Sequence, residues 1–272
     1  MIDICYLDTT ILIEALFKTR GRRLKARTAI QAYKTSLLPV YAIKEMSAGA
    51  LANIIWLYNK LEETHSLRGT YEAIAANIRR PNRVTTSMEL LQAASESIIG
   101  VDFADARTVA KTDQMQAEMH ALSIRRIIRN GWRDRRKITT QVVEELECFP
   151  ENPPFIDEEL KIMTIGDKDC PVRVDCHFAP ELRKKPDELV LLIEVIKGSE
   201  RREDVRRRKA LHTLKNTPKR KFENDDCRGL GDAYFALHCP GNATILTSNQ
   251  RDHGPLAEAL GKNVTEYRWK DV

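Results

Sequence analysis

The stretch Ile2-Asp3-Ile4-Cys5-Tyr6-Leu7-Asp8-Thr9-Thr10-Ile11-Leu12 decides how the chain is read. Residues 2–7 form a short apolar run that reads as a strand, buried on both faces if it is central and parallel. Asp8 ends it. Thr9 or Thr10 can cap the helix that follows, and Ile11, Leu12, Ala15 and Leu16 give that helix an apolar stripe at helical spacing. Gly21 is its expected stop. In open α/β sheets, ligands bind beyond the carboxyl ends of the strands. Asp8 is therefore either an acid aimed at such a crevice or simply a capping residue.

Outward from there the same alternation recurs. Residues 36–38 read as a second strand closed by Pro39. A helix resumes near Val40, with Ala42, Met46, Gly49, Ala50 and Ile54 on one side and Glu45 in its first turns. Near the other end, residues 231–239 are helical and apolar, and Cys239-Pro240-Gly241 stops them. Residues 243–246 read as a strand, 255–260 as a helix ended by Gly261, and 264–267 as a closing strand. Strands and helices alternating at this spacing predict an α/β sheet that is mostly parallel. Between 61 and 221 the chain changes character. Residues 71–148 look largely helical, notably 87–99 and 113–129, and 149–154 form a proline-rich break. Residues 155–178 leave a small hairpin open, and 187–215 hold one or two helices. The expected organisation is a core of 1–60 and 222–272 around a mainly helical inserted region, 61–221.

The 272 residues suffice for one large domain or a core with an inserted lobe. With 42% hydrophobic and 31% charged residues, a packed interior is feasible and wholesale disorder is not. A net charge of +5 suits a polyanionic partner without requiring one. The apolar run at 189–196 is interrupted by Glu194 and falls far short of the roughly 20 residues of a membrane span. Asp3, Asp8 and Glu14 precede the first basic residue, Lys18, the reverse of a secretory leader. A cytoplasmic protein is the expectation, in which the sequons at Asn242 and Asn263 carry no meaning. The six cysteines include no CxxC pair and are expected to be free thiols. Cys170, Cys176 and His177 lack a second ligand pair nearby, so zinc is not expected. There is no GxSxG elbow and no phosphate-binding P-loop. His253 reads as a loop residue or a proton shuttle.

Four segments carry candidate chemistry. Asp8 ends the first strand. Pro39-Val40-Tyr41-Ala42-Ile43-Lys44-Glu45 puts a glutamate six residues after a strand-ending proline. Gly231-Asp232-Ala233 puts an acid at the start of an apolar helix, with Asp225 and Asp226 as rivals. Thr247-Ser248-Asn249-Gln250-Arg251-Asp252 follows the penultimate strand. Taken in order, these elements resemble the PIN-domain nuclease family across about 1–60 and 225–272, under half the chain. The resemblance implies a PIN-like, mostly parallel sheet flanked by helices, with a large, mainly helical insertion. It implies that Asp8, Glu45 and Asp232 are catalytic acids holding Mg2+ or Mn2+. At the fourth position the chain departs from the pattern: Asn249 stands where many members carry Asp, and Asp252 is the nearby acid that can replace it. Thr9, Thr247 and Asn249 are candidates for orienting water or phosphate.

The chemistry is coherent apart from the resemblance. Mg2+ and Mn2+ prefer oxygen ligands and need few carboxylates when substrate phosphate completes the shell. Two such ions can clamp an in-line displacement. Clustered carboxylates repel one another, so such a site is stable mainly with a cation present. Basic runs at 18–34, 125–137 and 201–221 favour a phosphate-binding groove. Arg22 and Arg23 are the substrate-contact candidates. Trp132 is read as a core residue, with stacking on an unpaired base as the alternative. The expected function is a metal-dependent endonuclease hydrolysing phosphodiester bonds, with RNA favoured and DNA open. The alternative is a degenerate PIN-like module that binds nucleic acid or protein without cutting. The resemblance also implies toxin–antitoxin, phage-defence or RNA-processing roles and a homodimer. The size of the insertion points away from a minimal toxin.

Overall fold

A computed structural model describes residues 3–99, 113–143, 154–159, 161–165, 178–217 and 224–268 of the chain. Its centre is a five-stranded sheet in the order β3-β2-β1-β6-β7, with every neighbouring pair parallel. The strands are β1 (Ile4–Leu7), β2 (Thr35–Pro39), β3 (Gln141–Val143), β6 (Ala243–Thr247) and β7 (Asn263–Glu266). β1 is central, and Tyr6 stands opposite Leu37 on one side and Ile245 on the other. Cys5, Tyr6 and Leu7 are all fully buried, as a strand covered on both faces must be. A separate antiparallel pair, β4 (Phe155–Asp157) and β5 (Ile162–Thr164), is the hairpin left open above.

After β1 come α1 (Thr9–Phe17) and α2 (Arg20–Gln31). The chain breaks at Lys18 and Thr19 rather than at Gly21, which sits exposed in the first turn of α2. The cap of α1 is Asp8 itself, not either threonine: its side chain accepts from the Thr10 amide. Beyond β2, α3 (Val40–Met46) runs through a π-helical turn (Ser47–Leu51) into α4 (Ala52–Thr64). Then follow α5 (Leu67–Ala76), α6 (Pro81–Ile99) and α7 (Asp113–Asp134). The region 61–221 was expected as an insertion, yet it contributes β3 to the main sheet, with Leu38 opposite Val142. Ser36 and Thr140 secure that junction, the Ser36 hydroxyl accepting from the Thr140 amide at 3.0 Å and the Thr140 hydroxyl donating back to the Ser36 carbonyl at 3.0 Å.

The second half supplies α8 (Phe178–Arg183), α9 (Pro186–Val195), α10 (Arg202–Asn216), α11 (Asn224–His238) and α12 (Gln250–Ala259). Among the described residues, no helix is long and apolar enough to cross a membrane. Cys148, Cys170, Cys176 and His177 lie outside the described residues. The strand order places a change of winding direction between β1 and β6, the location where an open parallel sheet leaves a crevice beyond its carboxyl ends.

Candidate functional site

The cleft lies at those carboxyl ends. Asp8 follows β1, Glu45 lies in the helix begun by the end of β2, and Asn249 and His253 follow β6. Asp232 comes from the middle of α11. All five line one cavity of about 470 Å³, together with Thr9, Thr10, Tyr41, Lys44 and the small residues of the π turn. Three acids separated by up to 224 positions are thus brought to one place. The side chain of the rival Asp225 lies outside the described residues, and Asp226 does not line the cleft.

Each acid is fixed by its own neighbours. Asp8 is buried, and its two oxygens do different work. Oδ2 accepts from the Thr10 amide at 3.2 Å, from the Thr10 hydroxyl at 2.5 Å and from the Thr247 hydroxyl at 2.7 Å. Oδ1 faces His253 Nε2 at 3.2 Å. The loop after β6 is tied to the same threonines: the Asn249 amide donates to the Thr247 hydroxyl at 2.8 Å, and the Ser248 amide to the Thr10 hydroxyl at 3.0 Å. Glu45 accepts from the Thr9 hydroxyl at 2.6 Å. Gly231 makes room for it, because a Cβ there would stand 2.8 Å from Glu45 Oε1.

Two protein cations neutralise the cluster. His253 Nε2 lies between carboxylates, 3.2 Å from Asp8 Oδ1 and 3.5 Å from Asp232 Oδ1. Arg207, buried on α10, donates through Nη2 to Asp232 Oδ2 and through Nη1 to Asp204 at 2.6 Å. The charge states follow. Burial pushes the Asp8 carboxyl up, but the His253 charge and the threonine hydroxyls outweigh it and hold it at about 2. Burial, then the Asp232 charge, push Glu45 up to about 7 against the Thr9 hydrogen bond. Burial lowers His253, yet Asp8, Asp232 and Glu45 together raise it to about 9. These are the signatures of carboxylates crowded in low dielectric.

The sequence left His253 as a loop residue or a proton shuttle and did not foresee its place between the acids. His253 is a buried residue in the first turns of α12, not a loop residue. The signal was present: His253, Leu256 and Ala257 form the buried face at helical spacing. Asp252 points elsewhere. It is held by Asn249 Nδ2 at 2.8 Å and by Arg201, and it does not line the cleft. Burial opposes its ionisation, but the Asn249 and Arg201 hydrogen bonds lower its pKa overall. Arg201 has a second task. Pro255 cannot donate the intrahelical bond that the Arg251 carbonyl would receive, and Arg201 Nη1 supplies one at 3.2 Å.

The basic candidates lie away from the cleft. Arg22 is engaged by Glu14 and by Glu89, the latter at 2.9 Å. Arg23 neighbours Arg27, Glu96 and Arg20, and burial and the like charges lower its pKa. Neither lines the cavity. The Arg135 guanidinium covers the Trp132 ring at 3.9 Å, and Trp132 packs against the core.

In donor chemistry the cleft suits a hard divalent cation: three carboxylates converge with threonine oxygens, and burial and the Asp232 charge hold the Glu45 pKa up. In arrangement, among the described residues, no three His, Cys, Asp or Glu side chains are set to hold a metal ion. The reason is visible in the contacts. Asp8 and Asp232 face His253, and Asp232 also faces Arg207, so both would have to turn from these partners to hold an ion. Compared with family models, curated proteins and solved structures, the chain finds no match.

Proposed function

We propose that the chain is a metal-dependent endonuclease with a PIN-like core, acting on RNA in preference to DNA. The observation that carries this reading is the convergence of Asp8, Glu45 and Asp232 on one cleft at the carboxyl ends of a parallel sheet. A bound Mg2+ or Mn2+ would supply Lewis acidity at the phosphate and a more acidic water. Asp8, Glu45 and Asp232 would hold it. The threonine hydroxyls occupy Asp8 Oδ2, while Oδ1 faces His253 and would turn from it to reach an ion. Glu45 is half-buried and steadied by the Thr9 hydroxyl on Oε2, which leaves Oε1 for the ion. Asn249 lines the cleft without adding charge.

A second reading is favoured by one specific contact set. Arg207 and His253 already neutralise Asp232 and Asp8, as expected of a PIN-like module that binds nucleic acid or protein without cutting it.

The test is Mn2+-dependent cleavage of single-stranded RNA and DNA by the wild type and Asp8→Asn. Asparagine preserves the helix cap that Asp8 provides, so the variant should fold normally and lose cleavage. Unchanged activity in that variant removes the metal role. No cleavage by the wild type, with RNA binding retained, selects the second reading.

A further inference from the structure

We propose that Lys44 is the phosphate-receiving residue of the cleft and positions a single-stranded RNA backbone against the three acids. This rests on the nuclease reading and names the group that would hold its substrate. Lys44 precedes Glu45 on α3 and lines the same cavity as Asp8 and Asp232. Among the described residues no carboxylate lies within ion-pair distance of it, although three share its cleft. Its ammonium instead rests over two aromatic rings, 5.5 Å from the centroid of Tyr41 and 5.8 Å from that of Phe178. Ring faces attract a cation without consuming its N–H donors, so the ammonium is oriented yet still able to donate.

The platform beneath it is rigid. Tyr41 and Phe178 stack at 5.1 Å with planes 13° apart, and Tyr234 packs on Tyr41 at 4.9 Å. The Tyr41 hydroxyl donates to the Cys227 carbonyl at 3.1 Å. A cation held in advance loses less freedom on meeting its ligand. Among the described residues, Arg207 is committed to Asp204 and Asp232, and Arg201 to Asp252. A polyanion therefore meets in Lys44 a positive charge that no described carboxylate pairs, beside acids that would otherwise repel it.

The helical run continues past Lys44 into the π turn, where Ala48, Gly49 and Ala50 line the cavity with almost no side chain. π turns of this kind recur at functional sites. Together, the Lys44 ammonium and the small-residue π turn, both lining the one cavity, offer a cation for the phosphate and room for the sugar of one nucleotide. A volume of about 470 Å³ is of the size that takes one small ligand or nucleotide unit.

The test measures anisotropy of a fluorescein-labelled short single-stranded RNA, with single-stranded DNA and duplex RNA as further arms. Ca2+ replaces the catalytic ion, a salt series is run, and circular dichroism checks folding. Lys44→Met should weaken RNA binding about ten-fold, the loss of one charge-assisted hydrogen bond, and reduce the salt slope by about one phosphate contact. Lys44→Arg should keep most of the affinity. Met and wild type binding alike, duplex binding better than single strand, or no RNA binding by the wild type each overturn the proposal. Lys44-dependent binding without Mn2+-dependent cleavage keeps the phosphate site and sinks the nuclease reading.

Discussion

Arg207, on a helix from the middle of the chain, donates to Asp232 in the cleft while its other terminal nitrogen holds Asp204 at 2.6 Å. The Arg207 side chain is only 3% exposed and that of Asp204 is 8%, whereas Asp232 keeps partial access to water. Removing one member of a buried ion network leaves the rest uncompensated. Arg207→Met should therefore cost about 3 kcal/mol in urea unfolding, with part of the loss recovered in Arg207→Met/Asp232→Asn. Mn2+ should raise the melting temperature of Arg207→Met more than that of the wild type, because an Asp232 oxygen is freed. Equal shifts would mean that Asp232 takes no part in holding the ion.

Gly231 governs the distance between α3 and α11 at the site. A Cβ there would stand 2.7 Å from the Tyr41 hydroxyl and 2.8 Å from Glu45 Oε1. Glu45 Oε1 is a side-chain tip that can move, but the Tyr41 ring is buried in its aromatic stack and tied to the Cys227 carbonyl. We expect Gly231→Ala to destabilise by about 1–3 kcal/mol through overpacking, partly offset by alanine's helix propensity. It should displace Glu45 and reduce the Mn2+-induced thermal shift. A shift equal to wild type would show that Glu45 does not need its present position.

Gly131 is a stability control remote from the chemistry. A Cβ there would come within 2.5 Å of Cε1 of Phe17, a ring that is 1% exposed. Overpacking of this kind costs about 1–3 kcal/mol, more than the roughly 1 kcal/mol alanine gains in a helix. Gly131→Ala should unfold at lower urea, and Phe17→Leu should lessen the penalty of the added methyl. Gly254, whose Cβ would meet only Gln250 Cγ at 3.5 Å, should instead gain stability as alanine.

Glu89 links α6 to the first helices through Lys18 and Arg22. Burial raises its pKa, but the hydrogen bonds and charges of Lys18 and Arg22 outweigh it, so the net shift is downward from 4.5. A depressed carboxyl contributes stability above its unfolded pKa and loses it as pH falls through the folded value. The contribution should be present at neutral pH and fade below pH 4.5. Being partly solvated, the network should contribute no more than about 1 kcal/mol. Glu89→Gln should be less stable than wild type at neutral pH, and the two should converge in acid. A constant difference would disprove the linkage. Arg22→Ala should likewise lower stability and leave RNA affinity unchanged, since Arg22 lies on this network and not on the cleft.

Several residues show what local pattern can and cannot convey. Asp8 reads as a cap or an aimed acid; Oδ2 caps the helix, and Oδ1 faces His253. His253 was hidden because its polar neighbours, Asn249 to Asp252, look like a loop, although Leu256 and Ala257 complete a buried helical face with it. Gly21 resembles a stop but falls in the first turn of a new helix, where glycine is tolerated. The strand β3 is three residues long, too short to leave a periodic signal in a helical stretch.

By itself the amino-acid sequence determined the alternation of strands and helices and the three acids worth suspecting. Both are written in spacing between near neighbours: apolar runs, helical stripes, and an acid where a strand ends. Only the tertiary structure decided which charges meet. It set His253 between Asp8 and Asp232, turned Arg207 onto Asp232, committed Arg22 to Glu14 and Glu89, and left Lys44 over aromatic rings. Such pairings join residues up to 245 positions apart and follow from how buried helices pack on the sheet. No pattern along the chain encodes them, because an ion pair depends on distance and burial in space, not on separation in sequence.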